Sequence, residues 1–378
     1  MRPIYLDCNA TTPVELSVAE VAKEYLEEEF GNSGSRTHEY GAKAKSAVAG
    51  ARSAVAELLG ADDDEVIFTS GATESNNMAI LGLEEFGRRE GRRHLITSAQ
   101  EHKAVLEPIE KLRSRGFEVT VISPGVDGLV GATALKAALR PDTLLVSLMH
   151  VNNETGVIQP LSEYVETLRG HSAFLHVDAA QSFGKLIEPL KDRRIDLISA
   201  SGHKIFAPKG VGVLLARCRD YNEPPLEPLM YGGGQEKGFR PGTIPVHLVA
   251  SFGEASRLAK TNADARLRTC AITKKSAAMA LEKVGGVPNG NQDQCIGSTL
   301  NISFPGLDSE ALIVQLKELI AISNGSACTS SSYTFSHVLR SMGLDNDRIR
   351  SALRISWCHL TPEVDWEAVA LRIARLRS

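Results

Sequence analysis

The chain has 378 residues, a formal net charge of −4 and a sequence pI near 6.2. Single cores stop growing at roughly 250–300 residues, so this length predicts two domains or one large α/β domain with an appendage. The charge balance offers no broad basic surface, and we expect no direct contact with nucleic acid. Neither an export signal nor a run of about 18 apolar residues occurs, which predicts a cytoplasmic protein without membrane contact.

Short apolar runs alternate with amphipathic stretches through the first part of the chain. The runs are EVIFTSG, HLITSAQEH, EVTVISP, LLVSLMH, AFLHVDAAQ, DLISASGHK and GVGVLLA. Strands that alternate with helical patterns are typical of βαβ units, and unbroken apolar runs are typical of strands buried on both faces. The sequence therefore predicts an α/β fold with a mostly parallel sheet flanked by helices.

The pattern changes near residue 231. The segment YGGGQEKGFRPG (residues 231–242) is rich in glycine and charge, and it predicts a surface loop that is either a domain linker or a binding segment. From about residue 250 a long helical stretch precedes STLNISFPG, LIVQLKELIAISNGSACTS and a closing helix from about Val364. We therefore place a large domain at residues 16–255 and a smaller α+β domain at residues 1–15 and 256–378.

Polar residues follow several predicted strands at the points where the strands end: Thr73, His102, Asn153, Asp178 and Lys204. In open α/β sheets the ligand crevice lies outside the carboxyl ends of the strands, so we expect these side chains to converge. The turn TSGATES (residues 69–75) could present backbone N–H groups to an anion. Taken alone, it is better explained as an ordinary helix N-cap with an acidic residue in the first turn.

A carboxylate and a lysine in one crevice match the needs of pyridoxal phosphate (PLP). The lysine would form a Schiff base with the cofactor, and Asp178 would keep the pyridine nitrogen protonated. A structural ion pair is the ordinary alternative for any Asp and Lys. The run Ser201-Gly202-His203-Lys204 favours the cofactor, because it places hydroxyl, backbone and imidazole donors beside the lysine, where a phosphate could bind.

The six cysteines are scattered without CxxC pairs, so we expect neither a disulfide framework nor a metal site. For five of them the ordinary interpretation is a small buried hydrophobe. Cys328 differs because it lies in SNGSACTS (residues 323–330), a run of small residues that makes poor core. A catalytic thiol that visits the substrate and then delivers its cargo elsewhere needs such a mobile tether.

At this point the sequence resembles the cysteine desulfurases of the NifS/IscS kind, in the class V aminotransferase group of PLP fold type I enzymes. The resemblance covers nearly the whole chain. It rests on YLDCNATTP, GNSGSRTHEYG, FTSGATESNN, SAQEHKAV, MHVNNETGVIQP, HVDAAQSFGK, SASGHKIFAPKGVG, YGGGQEKGFRPGTIPV and SNGSACTSSS, in that order. It implies a large PLP-binding domain, a smaller α+β domain that carries the cysteine loop, and a homodimer.

The resemblance also implies roles for individual residues. Lys204 would hold PLP, Asp178 would contact the ring nitrogen, and His102 would stack on the ring and move protons. Asn153 and Gln181 would contact the phenolic oxygen. The remaining cofactor-binding residues would be Ala72, Thr73, Ser201 and His203 in this chain and Thr243, which would reach the phosphate of the neighbouring subunit. Arg354 would bind the substrate carboxylate together with Asn153, a task that suits a planar guanidinium.

In the resembling family the SxGSAC motif marks group I enzymes, in which the cysteine that corresponds to Cys328 attacks the substrate thiol and becomes a persulfide. The expected reaction removes sulfur from L-cysteine, releases L-alanine and passes the sulfur to an acceptor protein. Iron–sulfur assembly, thiolation and DNA phosphorothioation are the candidate pathways. The sequence ends at Ser378, soon after the last predicted helix, so we expect a sulfur acceptor other than the iron–sulfur scaffold that relatives dock through a C-terminal tail. The segment CTSSSYTFSHVL resembles the DndA branch, whose sulfur goes to DNA phosphorothioation.

The chain departs from the family pattern at two places. It reads GNSGS at residues 31–35 and ISWCHLTPE after Arg354, where relatives usually have a phenylalanine and a glycine-arginine pair. Two alternatives stay open at this point. One is a selenocysteine or cysteine-sulfinate lyase of the same fold, in which Cys328 would be dispensable. The other is a non-catalytic scaffold that keeps the fold to dock partners.

Overall fold

The computed structural model describes residues 2–219, 222–325 and 335–376. Cys328, the predicted sulfur acceptor, lies outside the described residues. The helices are α1 Leu16–Glu27, α2 Glu39–Leu59, α3 Ala72–Leu81, α4 Glu84–Arg89, α5 Lys103–Ser114, α6 Ala132–Ala138, α7 Leu161–Thr167, α8 Val246–Glu282, α9 Ser309–Leu316, α10 His337–Ser341, α11 Asn346–Arg350 and α12 Trp366–Ala374. The strands are β1 Ile4–Tyr5, β2 Val66–Thr69, β3 His94–Ser98, β4 Glu118–Ile122, β5 Thr143–Met149, β6 Phe174–Asp178, β7 Leu197–Ser201, β8 Gly212–Ala216, β9 Val287–Pro288, β10 Thr299–Ser303, β11 Ile320–Ala321 and β12 Ala352–Ser356.

A seven-stranded sheet in the order β2-β8-β7-β6-β5-β3-β4 forms the centre of the fold. Strand β8 runs antiparallel to both neighbours, and the other neighbouring pairs are parallel. The predicted apolar runs supply all of these strands. The run Thr143–Met149 is buried at every position because helices cover both faces of the sheet, as expected for a parallel sheet. The prediction of a mostly parallel α/β sheet is confirmed.

Two hydrophobic cores cover the two faces of this sheet, and alternate strand residues point into each. Val146 and Ile198 belong to the core that includes residues of α2 and α8. Leu145 and Leu197 belong to the opposite core, which includes residues of α3 and α5. Burial on both sides holds the strands in one register, so their carboxyl ends keep fixed positions.

A third core packs around two small sheets. Strand β10 pairs antiparallel with β9 and β12, and β1 pairs parallel with β11. Helix α8 joins this core to the main sheet, because its Phe252 lies in the first core and its Leu281 lies in the third. The predicted boundary near residue 255 therefore falls inside one continuous helix, and the division into two domains stays a prediction.

The glycine-rich segment 231–242 contains one 3-10 turn, Glu236–Gly238, and is otherwise a loop. Glu236 is buried in it and accepts hydrogen bonds from Arg52 and from the backbone N–H of Phe68 at 2.7 Å. Arg240 donates to Glu74 at 3.0 Å. The predicted surface loop is thus fixed to β2 at one point and to α3 at another. Among the described residues, no helix is long and apolar enough to cross a bilayer.

Candidate active site

A cavity of about 410 Å³ opens at the carboxyl end of the central sheet. This volume lies within the range of ordinary cofactor and substrate sites, about 300–1,000 Å³. The predicted site residues that line it are Ala72, Thr73, His102, Asn153, Asp178, Gln181, Ser201, His203, Lys204 and Arg354. Thr243 does not line this cavity. The sequence analysis assigned Thr243 to the neighbouring subunit's site, so one chain alone does not test that role.

Lys204 enters the cavity from the turn Gly202–Lys204 that directly follows β7. Its ammonium donates to the backbone carbonyl oxygens of Asn9 and Ala10, the latter at 2.8 Å. The amide Nε2 of Gln181 donates to the same Asn9 oxygen at 2.9 Å. The Asn9 side chain in turn donates to the carbonyl oxygen of Asn153 at 3.0 Å. The N-terminal segment therefore forms the wall that positions the lysine.

Asp178 ends β6, and its carboxylate is held at both oxygens. Asn76 on α3 donates to Oδ2 at 2.8 Å, and the backbone N–H of Ala180 donates to Oδ1 at 2.9 Å. The side chain is 5% exposed, so its orientation is set by these contacts and by packing. Each carboxylate oxygen can accept a further hydrogen bond, which leaves capacity for a donor inside the cavity.

His102 is the N-cap of α5, and its Nδ1 accepts a hydrogen bond from the N–H of Ala104 at 3.1 Å. In the neutral imidazole the proton must therefore lie on Nε2. The ring is exposed to the open cavity. Loss of solvent contact to the surrounding protein lowers the pKa of His102, and the charge of Lys204 lowers it further. The charge of Asp178 acts in the opposite direction and raises this pKa. The imidazole is thus neutral in its resting form and can take up a proton.

Glu101 lies directly behind His102 and is buried. Its Oε1 accepts hydrogen bonds from Ser98 at 2.6 Å and from the N–H of Met149 at 3.0 Å, and its Oε2 has no partner among the described residues. Burial raises the pKa of Glu101 to about 8. The carboxyl group is therefore mostly protonated at pH 7 and adds no full negative charge behind the cavity.

An anion could bind at the start of α3. The first N–H groups of a helix lack intrahelical acceptors, and Ala72 and Thr73 are the first two residues of this one. Ser201 and His203 line the same cavity as these two residues. Burial lowers the pKa of His203 to about 4, helped by the charges of Lys204 and Lys209. At neutral pH His203 therefore offers one N–H without adding a positive charge.

Arg354 reaches the cavity from β12 and is only 1% exposed. Its Nη2 donates to the Asp7 carboxylate at 2.8 Å, and its Nη1 donates to the Asn153 carbonyl oxygen at 3.3 Å. Its Nε has no acceptor among the described residues. Asp7 therefore fixes the guanidinium, and part of its donor capacity is left for a ligand in the cavity.

This donor set fits PLP. It combines a lysine amine, a fixed carboxylate for the ring nitrogen, an imidazole exposed in the same cavity, and hydroxyl, imidazole and helix N-terminal donors for a phosphate. Sequence reasoning did not single out four residues that position these groups: Asp7, Asn9, Asn76 and Glu101. Each lies inside a motif that carries the family resemblance, and that membership was the available signal.

Comparison with known proteins identifies the family. The class V aminotransferase model matches residues 4–369. The chain is 44% identical to the cysteine desulfurase IscS of Vibrio vulnificus (strain YJ016), over 99% of this chain and 94% of that protein. The crystal structure of DndA from Streptomyces lividans superposes with a TM-score of 0.83 at 49% identity, covering 92% of this chain and 98% of that chain. A structure of SspA in complex with cysteine superposes with a TM-score of 0.82 at 38% identity, covering 93% and 98%.

The chain therefore belongs to the class V aminotransferase family, with the fold of PLP-dependent enzymes. Within that family it groups with the NifS/IscS-like cysteine desulfurases. The predictions of the family, of PLP as cofactor and of a PLP-dependent cysteine desulfurase are confirmed.

Proposed function

We propose that this enzyme takes sulfur from L-cysteine, releases L-alanine and carries the sulfur as a persulfide on Cys328 to an acceptor protein. One observation carries the proposal: Lys204, Asp178 and Arg354 line a single cavity, each held there by its own hydrogen-bond partners. An amine for the cofactor, a carboxylate for its ring and a guanidinium for an amino-acid carboxylate are the groups that a PLP enzyme acting on an amino acid requires.

The cofactor would be held by four sets of groups. Lys204 would bind its aldehyde carbon, Asp178 its ring nitrogen, and Thr73, Ser201 and His203 its phosphate, with the start of α3 contributing N–H donors. Asn153 and Gln181 would contact the phenolic oxygen. When bound, PLP supplies an electron sink that stabilises negative charge at the substrate Cα.

The substrate would be oriented by Arg354, whose fork suits a carboxylate and whose Asp7 contact fixes its plane. Proton movements are assigned to two groups. The Lys204 amine would remove the proton from Cα. His102, neutral at rest with a proton on Nε2, would exchange protons with the substrate thiol or with the substrate carbon that loses its sulfur.

The sulfur step is a displacement at sulfur. The Cys328 thiolate attacks the substrate sulfur, the carbon–sulfur bond breaks, and its electron pair stays with the carbon that becomes the methyl group of alanine. A proton from His102 or Lys204 then converts that carbon into the methyl group. No external oxidant is needed, because the substrate carbon is reduced as Cys328 becomes the persulfide.

We also propose a homodimer in which Thr243 completes the partner's phosphate site, and sulfur delivery to the pathway of DNA phosphorothioation. The second proposal is supported by the sequence likeness to DndA, at 49% identity, against 44% to the IscS relative. Delivery of persulfide sulfur to a purified acceptor of each candidate pathway would distinguish them, by the transfer rate at equal acceptor concentration.

The testing experiment compares wild type, Cys328→Ala and Lys204→Ala. Each is examined for the visible absorbance of bound PLP and for alanine and sulfide production from L-cysteine with a reductant. We expect Cys328→Ala to retain PLP and lose both products, and Lys204→Ala to lose turnover. Full alanine production in Cys328→Ala would instead indicate a lyase of the same fold, and an inability of wild type to bind PLP would indicate a scaffold.

A further inference from the structure

A second, smaller cavity of about 30 Å³ lies between the N-terminal segment, α8 and the segment after β12. Three thiols line it: Cys8, Cys270 and Cys358. Its volume is close to the space that one water occupies in the liquid, about 30 Å³, so it can admit a molecule as small as water or hydrogen peroxide. Among the described residues, no group of cysteines, histidines and carboxylates is arranged to hold a metal ion.

Two of these thiols form a pair. Cys8 and Cys358 pack together with Phe206 in a buried cluster and are 3% and 6% exposed. Both thiols are free, and both line the same cavity. Cys358 lies in the segment ISWCHLTPE, where the chain departs from the usual family pattern. Two cysteines distant in sequence thus meet in one buried cluster.

The surroundings favour a thiolate on Cys358. The interaction with Cys8 is the main cause that lowers the pKa of Cys358, against the opposing effect of burial, and the Thr361 hydroxyl donates to the same sulfur at 3.7 Å. The same interaction and burial raise the pKa of Cys8. One thiol of the pair is therefore activated and the other stays protonated, as in known redox dithiols.

Basic side chains lie close to the two thiols. The groups that face Cys358 are Cys8, Cys270, Lys185, Arg266 and His359. Arg266 and His359 share the carboxylate of Glu15, at 2.6 and 2.7 Å. Lys185 lines the cavity, and no carboxylate of the described residues forms an ion pair with it. Burial lowers the pKa of Lys185, and the neighbouring cysteines oppose that shift by favouring its charged form.

The pair is joined to the active site through two short connections. Cys8 precedes Asn9 and Ala10, whose carbonyl oxygens hold Lys204. Phe206, packed against both thiols, lies two residues after Lys204 and has a φ of 71°, a left-handed conformation that a bulky residue adopts only under constraint. A displacement of Cys8 or Phe206 would therefore move the groups that position the lysine.

We propose that Cys8 and Cys358 are a redox-active dithiol that peroxide oxidises to a disulfide, and that this disulfide shifts the wall around Lys204. The Cys358 thiolate attacks one peroxide oxygen, the O–O bond breaks, and a sulfenic acid and hydroxide form. The Cys8 thiol then attacks the sulfenic sulfur, the S–O bond breaks, and water leaves. Two thiols lose two electrons, and hydrogen peroxide is reduced to two waters.

The disulfide changes the local geometry because its two sulfur atoms lie about 2.05 Å apart, closer than two unbonded thiols can approach. We expect closure of this bond to draw residues 8 and 358 together. The Cys8 N–H donates to the Ser356 carbonyl at 3.1 Å and the Asn9 N–H donates to Ser356 Oγ at 2.9 Å, so both segments share the strain. The effect on Lys204 rests on the proposed function, whereas disulfide formation does not.

The experiment oxidises the Cys328→Ala holoenzyme with hydrogen peroxide, which removes the catalytic thiol from the reaction. Non-reducing peptide mass spectrometry should detect a Cys8–Cys358 linked peptide, and thiol titration of the denatured protein should show the loss of both thiols. The link should be absent in the Cys8→Ser and Cys358→Ser forms and retained in the matched Cys218→Ser form. The visible band of bound PLP should change on oxidation and recover with dithiothreitol.

The outcomes separate the claims. If peroxide consumes other thiols but no linked peptide forms, the dithiol is refuted. If the link forms while the PLP band and L-cysteine binding stay unchanged, the connection to Lys204 is refuted. A protein that forms the link but never binds PLP supports the dithiol and contradicts the proposed function, so the two failures are distinguishable.

Discussion

Replacing Arg354 by lysine tests whether this side chain binds the substrate carboxylate. Its Nη2 and Nη1 already donate to Asp7 at 2.8 Å and to Asn153 at 3.3 Å, while Nε has no acceptor among the described residues. Lysine keeps one positive charge but loses the planar fork. A hydrogen bond to a charged group contributes about 1.5–3 kcal/mol, so its loss should lower kcat/KM for L-cysteine about 10- to 150-fold.

The assay measures initial rates of alanine formation across a range of L-cysteine concentrations, with the PLP absorbance as a check on the cofactor site. Arg350→Lys is the matched control, because Arg350 lies four residues earlier in the chain, is exposed at the surface and pairs with Asp308 at 3.1 Å. Exposed pairs contribute about 0–1 kcal/mol, so that control should stay close to wild type. A loss of less than about threefold in Arg354→Lys, equivalent to roughly 0.7 kcal/mol, would refute the carboxylate assignment.

Three further predictions concern a contact of Asp178, two buried histidines and the proposed dimer. Asn76→Ala removes the 2.8 Å hydrogen bond to Asp178, worth about 1.5–3 kcal/mol, and should weaken PLP retention on dialysis; unchanged retention would contradict this role. His150 and His176 are buried, and burial lowers the pKa of each to about 4. Between pH 6.5 and 4 the unfolded chain binds protons that the folded chain does not. These two histidines therefore lower the free energy of unfolding by about 2.7 kcal/mol per pH unit as the pH falls. In urea unfolding, the His176→Gln variant should show about half of that pH dependence, and a slope equal to that of wild type would contradict the assignment. Thr243→Ala should weaken PLP binding while light scattering still shows a dimer, and a monomeric wild type would refute the shared site.

The fold and much of the cavity could be predicted from the sequence because both depend on local patterns. Unbroken apolar runs mark strands buried on both faces, and the polar residue that follows each run lies at the carboxyl edge of the sheet. Lys204, Asp178 and His102 were found by this logic, and the structure places them in one cavity. The resemblance added Arg354, which no periodicity marks.

The contacts that hold these groups could not be predicted, because they join distant parts of the chain. Lys204 is held by backbone carbonyls some 195 residues away, and a carbonyl acceptor leaves no side-chain signature. Arg354 pairs with Asp7 across 347 residues. Cys8 and Cys358 were each interpreted as lone buried thiols, because the pairing of the segment around Asp7 with the segment around Ser356, which brings them together, has no signature in the sequence.

The most direct test of the central claim is a peptide mass spectrum of the enzyme after incubation with L-cysteine in the absence of a reductant. We predict one additional sulfur atom on the peptide that contains Cys328, removed by dithiothreitol and absent in Lys204→Ala. Alanine production with no sulfur on Cys328, or with the sulfur on Cys8 or Cys358 alone, would contradict the proposed route of sulfur through this enzyme.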